Sequence, residues 1–372
     1  MMSVQMNPIN GSVWLAAGGT GGHVFPALHT ADALKARGFD VSIITDKRGL
    51  HLVPDNIQRR TISAASPFTG SLPKRVLAIA KLAAGFLQVL TLLLWQRPLA
   101  VIGYGGYPAA APTLAAWLLR IPVWLHEQNA VMGRTNQLLS KLVKGVFISW
   151  PKTVGLPTTA RHVYTGLPVA TAFSNLRSYA DRKETKQLHL AIFGGSLGAL
   201  LFANILPQAV ARLPASLKSV VRITQQARTE QIDALQNAYA AQKIDANVRP
   251  FFIDVAGIME TADLVICRSG ASTVAELAAA GRPAVLIPFA RALDGHQLAN
   301  ARQLADINAA VIVQEQDVTA DQLAAQIASL LSAPQKRLAQ ANAARTIACP
   351  HAAKNICNLI ETYLTNSKKE AA

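Results

Sequence analysis

A chain of 372 residues exceeds what one hydrophobic core of ordinary size organises, which points to two domains. With 51% hydrophobic and 15% charged residues the composition excludes a disordered chain, and three cysteines without framework spacing exclude a disulfide scaffold and suit a reducing compartment. The net charge of +15 is uneven: residues 1–165 carry 16 Lys/Arg against 5 Asp/Glu, so an anionic partner is expected, whether nucleic acid, anionic lipid or a phosphorylated substrate.

No Lys or Arg precedes Lys35, and the apolar run Val13–Ala17 is too short for a signal peptide, so a cytoplasmic location is expected. That run is the first strand candidate. It enters Gly18-Gly19-Thr20-Gly21-Gly22-His23 and then a helical pattern over Pro26–Arg37. Four glycines let a ligand approach the backbone, and amides at a helix start attract phosphate. The plain alternative is a tight turn that binds nothing. The spacing matches neither a P-loop nor a GxGxxG dinucleotide loop, which argues against ATPase and dehydrogenase chemistry. His23 stands as a general base or as a donor to a phosphate.

After the strand candidate Val41–Thr45, the stretch Val76–Trp95 is almost wholly apolar, broken by Lys81 and Gln88 and flanked by Lys74, Arg75 and Arg97. Its length would just span a bilayer, which needs about 20 apolar residues. A transmembrane, a buried and an interfacial helix all fit. A buried-type strand, Leu99–Gly103, follows at once, and basic flanks suit anionic lipid, so the interfacial reading is preferred. The strand leads into Gly103-Tyr104-Gly105-Gly106-Tyr107-Pro108, a second anion cradle with the Tyr107 hydroxyl beside it, ahead of the helix Ala109–Leu119. Strand Val123–His126 ends in His126-Glu127-Gln128-Asn129, polar residues at the carboxyl end of a strand, where open α/β sheets bind ligands. Val146–Ser149 is the last strand candidate of this half.

The second half reopens in the same way. Leu188–Phe193 runs into Gly194-Gly195-Ser196-Leu197-Gly198-Ala199 and the helix Leu200–Leu213, with Ser196 able to bond a phosphate oxygen. Further strands are expected at Val220–Thr224, Val248–Ile253, Leu264–Cys267, Ala284–Ile287 and Ala310–Val313. Such alternation builds parallel sheets covered by helices, an α/β chain of two Rossmann-like domains. The expected division is 1–166 and 167–349, with a closing helix over 350–366 packing back on the first domain. Leu264–Cys267 gives way to Arg268-Ser269-Gly270-Ala271-Ser272-Thr273-Val274-Ala275-Glu276, a small-residue helix start whose amides and dipole suit a diphosphate. Glu276, one turn after Ser272, can accept from both hydroxyls of a ribose diol. Asp294, His296, Gln297 and Asn300 gather polar groups after Ala284–Ile287. No Cys/His cluster or DxD pair calls for a metal, and no helix-turn-helix, RRM or KH signature calls for nucleic acid.

Six motifs in order, GGTGGHVFPA at 18–27, GYGGYP at 103–108, HEQN at 126–129, GGSxGA at 194–199, CRSGASTVAE at 267–276 and DGHQLANA at 294–301, resemble the MurG family of peptidoglycan glycosyltransferases, glycosyltransferase family 28. The resemblance covers nearly the whole chain. It implies a GT-B fold, two Rossmann-like doubly wound domains facing a cleft, with a nucleotide sugar held mainly by the second. The implied reaction is an inverting transfer of GlcNAc from UDP-GlcNAc to the muramyl 4-hydroxyl of undecaprenyl-linked lipid I, giving lipid II without a cofactor. The implied place is the cytoplasmic face of a bacterial inner membrane, with cell-wall and division proteins as candidate partners. By this resemblance Thr20, Gly21, Gly22, Asn129, Ser196, Ile253, Ala271, Ser272, Thr273, Val274, Ala275, Glu276 and Gln297 would contact the donor. Gly105, Gly106 and Tyr107 would contact the acceptor, with His23 the first and Glu127 the second candidate base. Two departures stand out: the family's Gly-Asn-Pro-Val-Arg reads Gly166-Leu167-Pro168-Val169-Ala170, and the Gln of GGSQGA is Leu197. Arg161 and Arg268 are the candidates to replace the missing Arg. The rival readings are a UDP-GlcNAc 2-epimerase and a non-catalytic sugar-nucleotide-binding subunit at the membrane.

Overall fold

The computed structural model describes residues 11–65, 71–182 and 185–371. They form two compact units: the described residues up to Val169 together with those from His351 onward, and Ala170–Pro350. The dividing point lies just beyond the expected 166/167 boundary, in a stretch without helix or strand between Tyr164 and Thr171.

In the first unit β1 (Ser12–Ala16), β2 (Asp40–Thr45), β3 (Gln58–Thr61), β4 (Ala100–Gly103), β5 (Val123–Glu127), β6 (Gly145–Ile148) and β7 (His162–Tyr164) form one sheet. Its order is β3-β2-β1-β4-β5-β6-β7, with every pair parallel. The helices are α1 (Gly21–Lys35), α2 (Leu72–Trp95), α3 (Tyr107–Leu118) and α4 (Arg134–Leu139). Successive residues of a strand face opposite sides, and β1 shows both cores. Val13 and Leu15 join α1 residues Val24, Ala27, Ala31 and Leu34, while Trp14 and Ala16 join Val89 and Leu93 of α2 and Ala111 and Ala115 of α3. β3 and β7 were not expected. Their sequences, Gln58-Arg59-Arg60-Thr61 and His162-Val163-Tyr164, lack an apolar run because edge strands are covered less than central ones.

The second unit contains β8 (Leu188–Phe193), β9 (Val221–Gln226), β10 (Asp245–Arg249), β11 (Leu264–Cys267), β12 (Ala284–Leu286) and β13 (Ala310–Ile312), in the parallel order β10-β9-β8-β11-β12-β13. Its helices are α5 (Thr171–Ser174), α6 (Gly195–Ala211), α7 (Ala215–Lys218), α8 (Ile232–Ala240), α9 (Val255–Thr261), α10 (Ala271–Ala280), α11 (His296–Ala305), α12 (Ala320–Leu331) and α13 (Pro334–Thr346). β10 lies earlier than the expected Val248–Ile253. Only Val248 of that strand is buried, and the apolar residues Phe251 and Ile253 belong to the exposed loop after it.

The last helix, α14 (Ala352–Ala371), returns to the first unit and lies along α1. Ile356, Cys357, Ile360 and Leu364 enter the core that holds Val13 and Leu15, and the Tyr363 ring meets Trp124 edge-on at 4.9 Å. Arg37 donates to Glu361 and Asn358. By contrast, α2 buries only a stripe, Ala78, Gly85, Val89 and Leu93, and Gly85 leaves no room for a Cβ beside the Ser63 carbonyl. The rest of its apolar surface, including Leu72, Val76, Leu77, Ile79, Leu87, Leu94 and Trp95, is exposed.

Both sheets reverse their winding once, between β1 and β4 and between β8 and β11. A parallel sheet leaves a crevice at the carboxyl ends of the strands at such a switch point, the standard ligand position in open α/β sheets. The four glycine- or small-residue turns fall at these two places.

Candidate functional site

The helices after three of these turns begin inside the small-residue runs. α1 starts at Gly21, not near Pro26, and α6 at Gly195, not Leu200, while α10 starts at Ala271 within the expected small-residue helix start. Residues with little or no side chain fill the first turn, and none of the three N-caps, Thr20, Gly194 and Gly270, makes a side-chain capping bond. First-turn amides of a helix have no partner within it, so each start presents donors to a ligand.

At the first switch point the loops after β1 and β4 pack together, because a Cβ on Gly18 would lie 2.7 Å from Pro108. Gly105 and Gly106 both hold positive φ, at 79° and 71°, and the His23 ring lies over them, 3.4–3.5 Å from where their Cβ atoms would be. Glycine is required there twice over, by conformation and by contact. Two residues missed in the sequence complete this corner. Asp46, at the carboxyl end of β2, accepts from the amides of Gly19 (3.1 Å) and Gly49 (3.0 Å) through Oδ1, and from Arg48 Nε (3.1 Å) and the Tyr107 hydroxyl (3.2 Å) through Oδ2. Burial works to raise the Asp46 carboxyl, but the Arg48 hydrogen bond and the Gly49 and Gly19 amides hold it below its ordinary value. Arg48 also donates to the Tyr107 hydroxyl and stands 5.1 Å over its ring. Burial, and then the Asp46 charge, raise Tyr107. The available signal for Asp46 and Arg48 was their position after the strand Val41–Thr45.

The HEQN segment ends β5 beneath the same turns. Glu127 is buried and both oxygens are engaged: Oε1 accepts from the Asn129 amide (3.0 Å) and Asn129 Nδ2 (3.3 Å), Oε2 from the Gly133 amide (3.0 Å) and Asn136 Nδ2 (2.8 Å). The carboxylate of this second candidate base is thus fully engaged by donors of its own loop and α4. With four donors on one carboxylate, Glu127 shapes the loop that carries Asn129. Gln128 is buried beside it, with Oε1 3.1 Å from His23 Nδ1 and Nε2 2.9 Å from the Tyr104 carbonyl. His126, stacked on Tyr104 at 5.1 Å, is fully buried, and that burial lowers it to about 4 despite the Gly166 hydrogen bond.

At the second switch point α10 begins with Ala271 buried and Ser272, Thr273, Ala275 and Glu276 half-buried, while Val274 anchors the helix in the core. The Ser272 hydroxyl oxygen is buried without a hydrogen-bond partner among the described residues. A buried hydroxyl at a helix start calls for a partner from outside these residues. One turn on, desolvation pushes the Glu276 carboxyl up to about 7. Gln297 braces this turn from α11: its carbonyl accepts from Ser269 Oγ (2.8 Å), and its side-chain oxygen accepts from the Phe289 amide (2.9 Å). Asn300 donates to the Ser269 carbonyl at 3.2 Å. The second unit thus joins Ala271–Glu276 with Gln297. Ile253 stands apart on the loop after β10, 95% exposed. The side chains of 196–199, Ser196 and Leu197 included, lie outside the described residues. Arg268 does not serve as a replacement for the missing Arg. It is buried, donates to the Ile287 carbonyl (3.0 Å), pairs with Glu315 at 2.7 Å and lies over Phe202 and Phe289. Ala170 caps the short helix α5.

Comparison with known proteins matches these units one to one. Residues 13–148 match the glycosyltransferase family 28 N-terminal domain and 189–356 the glycosyltransferase family 28 C-terminal domain. The chain is 42% identical over 355 residues to the UDP-N-acetylglucosamine–N-acetylmuramyl-(pentapeptide) pyrophosphoryl-undecaprenol N-acetylglucosamine transferase of Methylorubrum populi, covering 94% of this chain and 96% of that protein. A transferase of the same name from Paramagnetospirillum magneticum is 40% identical, covering 95% and 96%. Among solved structures, Acinetobacter baumannii MurG is similar with a TM-score of 0.77 and 37% identity, over 94% of this chain and 99% of that one. The kitacinnamycin glycotransferase, at a TM-score of 0.73 and 17% identity, shares the fold. Identity of this extent, along a chain whose small-residue turns occupy both switch points of a GT-B architecture, makes it a member of the MurG family within glycosyltransferase family 28.

Proposed function

We propose that the chain transfers N-acetylglucosamine from UDP-GlcNAc to the muramyl 4-hydroxyl of lipid I, with inversion at the anomeric carbon, to give lipid II. The observation that carries the reading is the start of α10, where uncapped amides, the buried unpartnered Ser272 hydroxyl and the Glu276 carboxylate lie on one helix turn. The amides suit the diphosphate of the donor, and a carboxylate can accept both hydroxyls of a ribose. The acceptor hydroxyl attacks the anomeric carbon as the bond to UDP breaks and UDP leaves with the electron pair. The transition state resembles an oxocarbenium ion. As negative charge grows on the departing diphosphate, the α10 amides and dipole stabilise it. His23 takes the hydroxyl proton. In the first unit, the glycine turns with Arg48 and Tyr107 offer backbone donors, a cation and a hydroxyl to the acceptor's diphosphate. Incubation with labelled UDP-GlcNAc and a lipid I analogue should give labelled lipid II. Epimerised UDP-sugar without transfer, or binding without turnover, would replace this reading by one of the two rivals.

We further propose attachment to the membrane surface through α2. This is the one helix among the described residues long and apolar enough to cross a bilayer, with a mean hydropathy of 2.1. Crossing would pull Val89 and Leu93 out of the core they share with α3 and the sheet and Gly85 away from Ser63, so lying in the interface fits better.

A further inference from the structure

We propose that Gln128 is a positioning residue that holds His23 in its Nδ1–H tautomer and so makes Nε2 the proton-accepting nitrogen, a role that rests on His23 being the base. The Gln128 amide cannot be turned over. Its nitrogen lies among three acceptors, the Tyr104 carbonyl at 2.9 Å, His126 Nδ1 at 3.2 Å and the His126 carbonyl at 3.3 Å. An inverted amide would set its oxygen against two carbonyl oxygens in a site 1% exposed. The oxygen must therefore face His23 Nδ1, 3.1 Å away, and an amide oxygen only accepts, so the proton resides on Nδ1.

The far end of the chain fixes the same direction. His126 Nδ1 accepts from Gln128 Nε2, which leaves its Nε2–H to donate to the Gly166 carbonyl at 3.3 Å. Donation runs one way, from His23 through Gln128 and His126 to Gly166, and each bond strengthens the next. The ring edge carrying His23 Nε2 lies over Gly106, 3.5 Å from where a Cβ would stand. The base is thus oriented by a third group, the arrangement that a catalytic imidazole needs. Here the orienting group is a neutral amide rather than a carboxylate.

The test uses full-length protein labelled with 15N-histidine. Long-range 15N–1H correlation spectra recorded above the imidazole pKa report the tautomer, with His23→Gln supplying the assignment. The expected result is an Nδ1–H tautomer for His23 in the wild type and its loss in Gln128→Leu. That variant should show kcat lowered about tenfold or more with the UDP-GlcNAc KM little changed. An Nε2–H tautomer in the wild type, read without any variant, overturns the proposal. So does an unaltered Nδ1–H tautomer in folded Gln128→Leu. Because the tautomer is read without turnover, a failure of the base assignment itself, seen as near-normal kcat in His23→Gln, is distinguishable from a failure of the tautomer lock.

Discussion

Glu276 is the residue whose environment and role can be tied most tightly. Desolvation lifts its carboxyl to about 7, so in the absence of ligand it holds a proton at mildly acidic pH. Hydroxyls of a ribose donate to the charged form, so donor binding has to expel that proton. UDP-GlcNAc affinity should then be full above about pH 7 and weaken by up to about tenfold per unit as pH falls through that value. Glu276→Gln should bind more weakly and lose most of this pH dependence. Calorimetric titration at about pH 6 and pH 8 decides it, and an equal dependence in both proteins would remove Glu276 from the ribose. The stability sign is the opposite of that for an ordinary ion-paired carboxylate. A raised folded pKa gives stability that is present below the unfolded pKa and lost as pH rises through about 7, so the ligand-free Glu276→Gln protein should melt higher than wild type in alkaline buffer.

Among the elements, α2 combines a buried stripe with an apolar face that the fold leaves uncovered. Leu77, Leu87 and Trp95 are 56%, 61% and 87% exposed, so replacing all three with Ser removes little that holds the protein together. Each fully buried large apolar side chain is worth about 1.5–3 kcal/mol, so even partial insertion makes their loss visible. The triple variant should keep its melting transition and bind vesicles of anionic lipid at least about tenfold more weakly. Neutralising Lys74, Arg75 and Lys81 should weaken attachment mainly at low salt, since exposed charges are screened beyond about 10 Å at 0.1 M. Undiminished vesicle binding by the triple variant would sink the proposed role of this face.

On the scale of the whole molecule, the chain leaves the first unit at Val169, builds the second, and returns through α14. Ile360 has no solvent exposure and lies in the core shared with α1 and β1. Ile360→Ala should destabilise the first unit by about 2–5 kcal/mol, the usual cost of such a cavity. In calorimetry the transition of the first unit should fall while that of the second stays in place, because the cores of the two units are separate clusters. Equal shifts in both transitions would show that the units unfold as one.

The sequence by itself determined the central strands, the α/β class and the four turns, because buried parallel strands read as apolar runs, three turns carry a Gly-Gly pair with at least one φ above zero, and the fourth is a run of small residues. It also marked His23, Ser272 and Glu276 as polar groups at ligand-facing ends. What it left open needed three dimensions. The edge strands β3 and β7 carry no hydrophobic signal, since little covers them. The helix starts at Gly21 and Gly195 lie earlier than the sequence suggests because glycine disfavours helix by local propensity, and only the packed sheet holds them there. The clustering of Asp46, Arg48 and Tyr107 joins β2 to α3 across neighbouring strands, which no local spacing reveals. Tertiary structure alone decided which polar side chains are already engaged. Glu127 and Arg268 looked available for chemistry, but four donors fill the one and a carbonyl and Glu315 hold the other, because a buried charge persists only where it is paired.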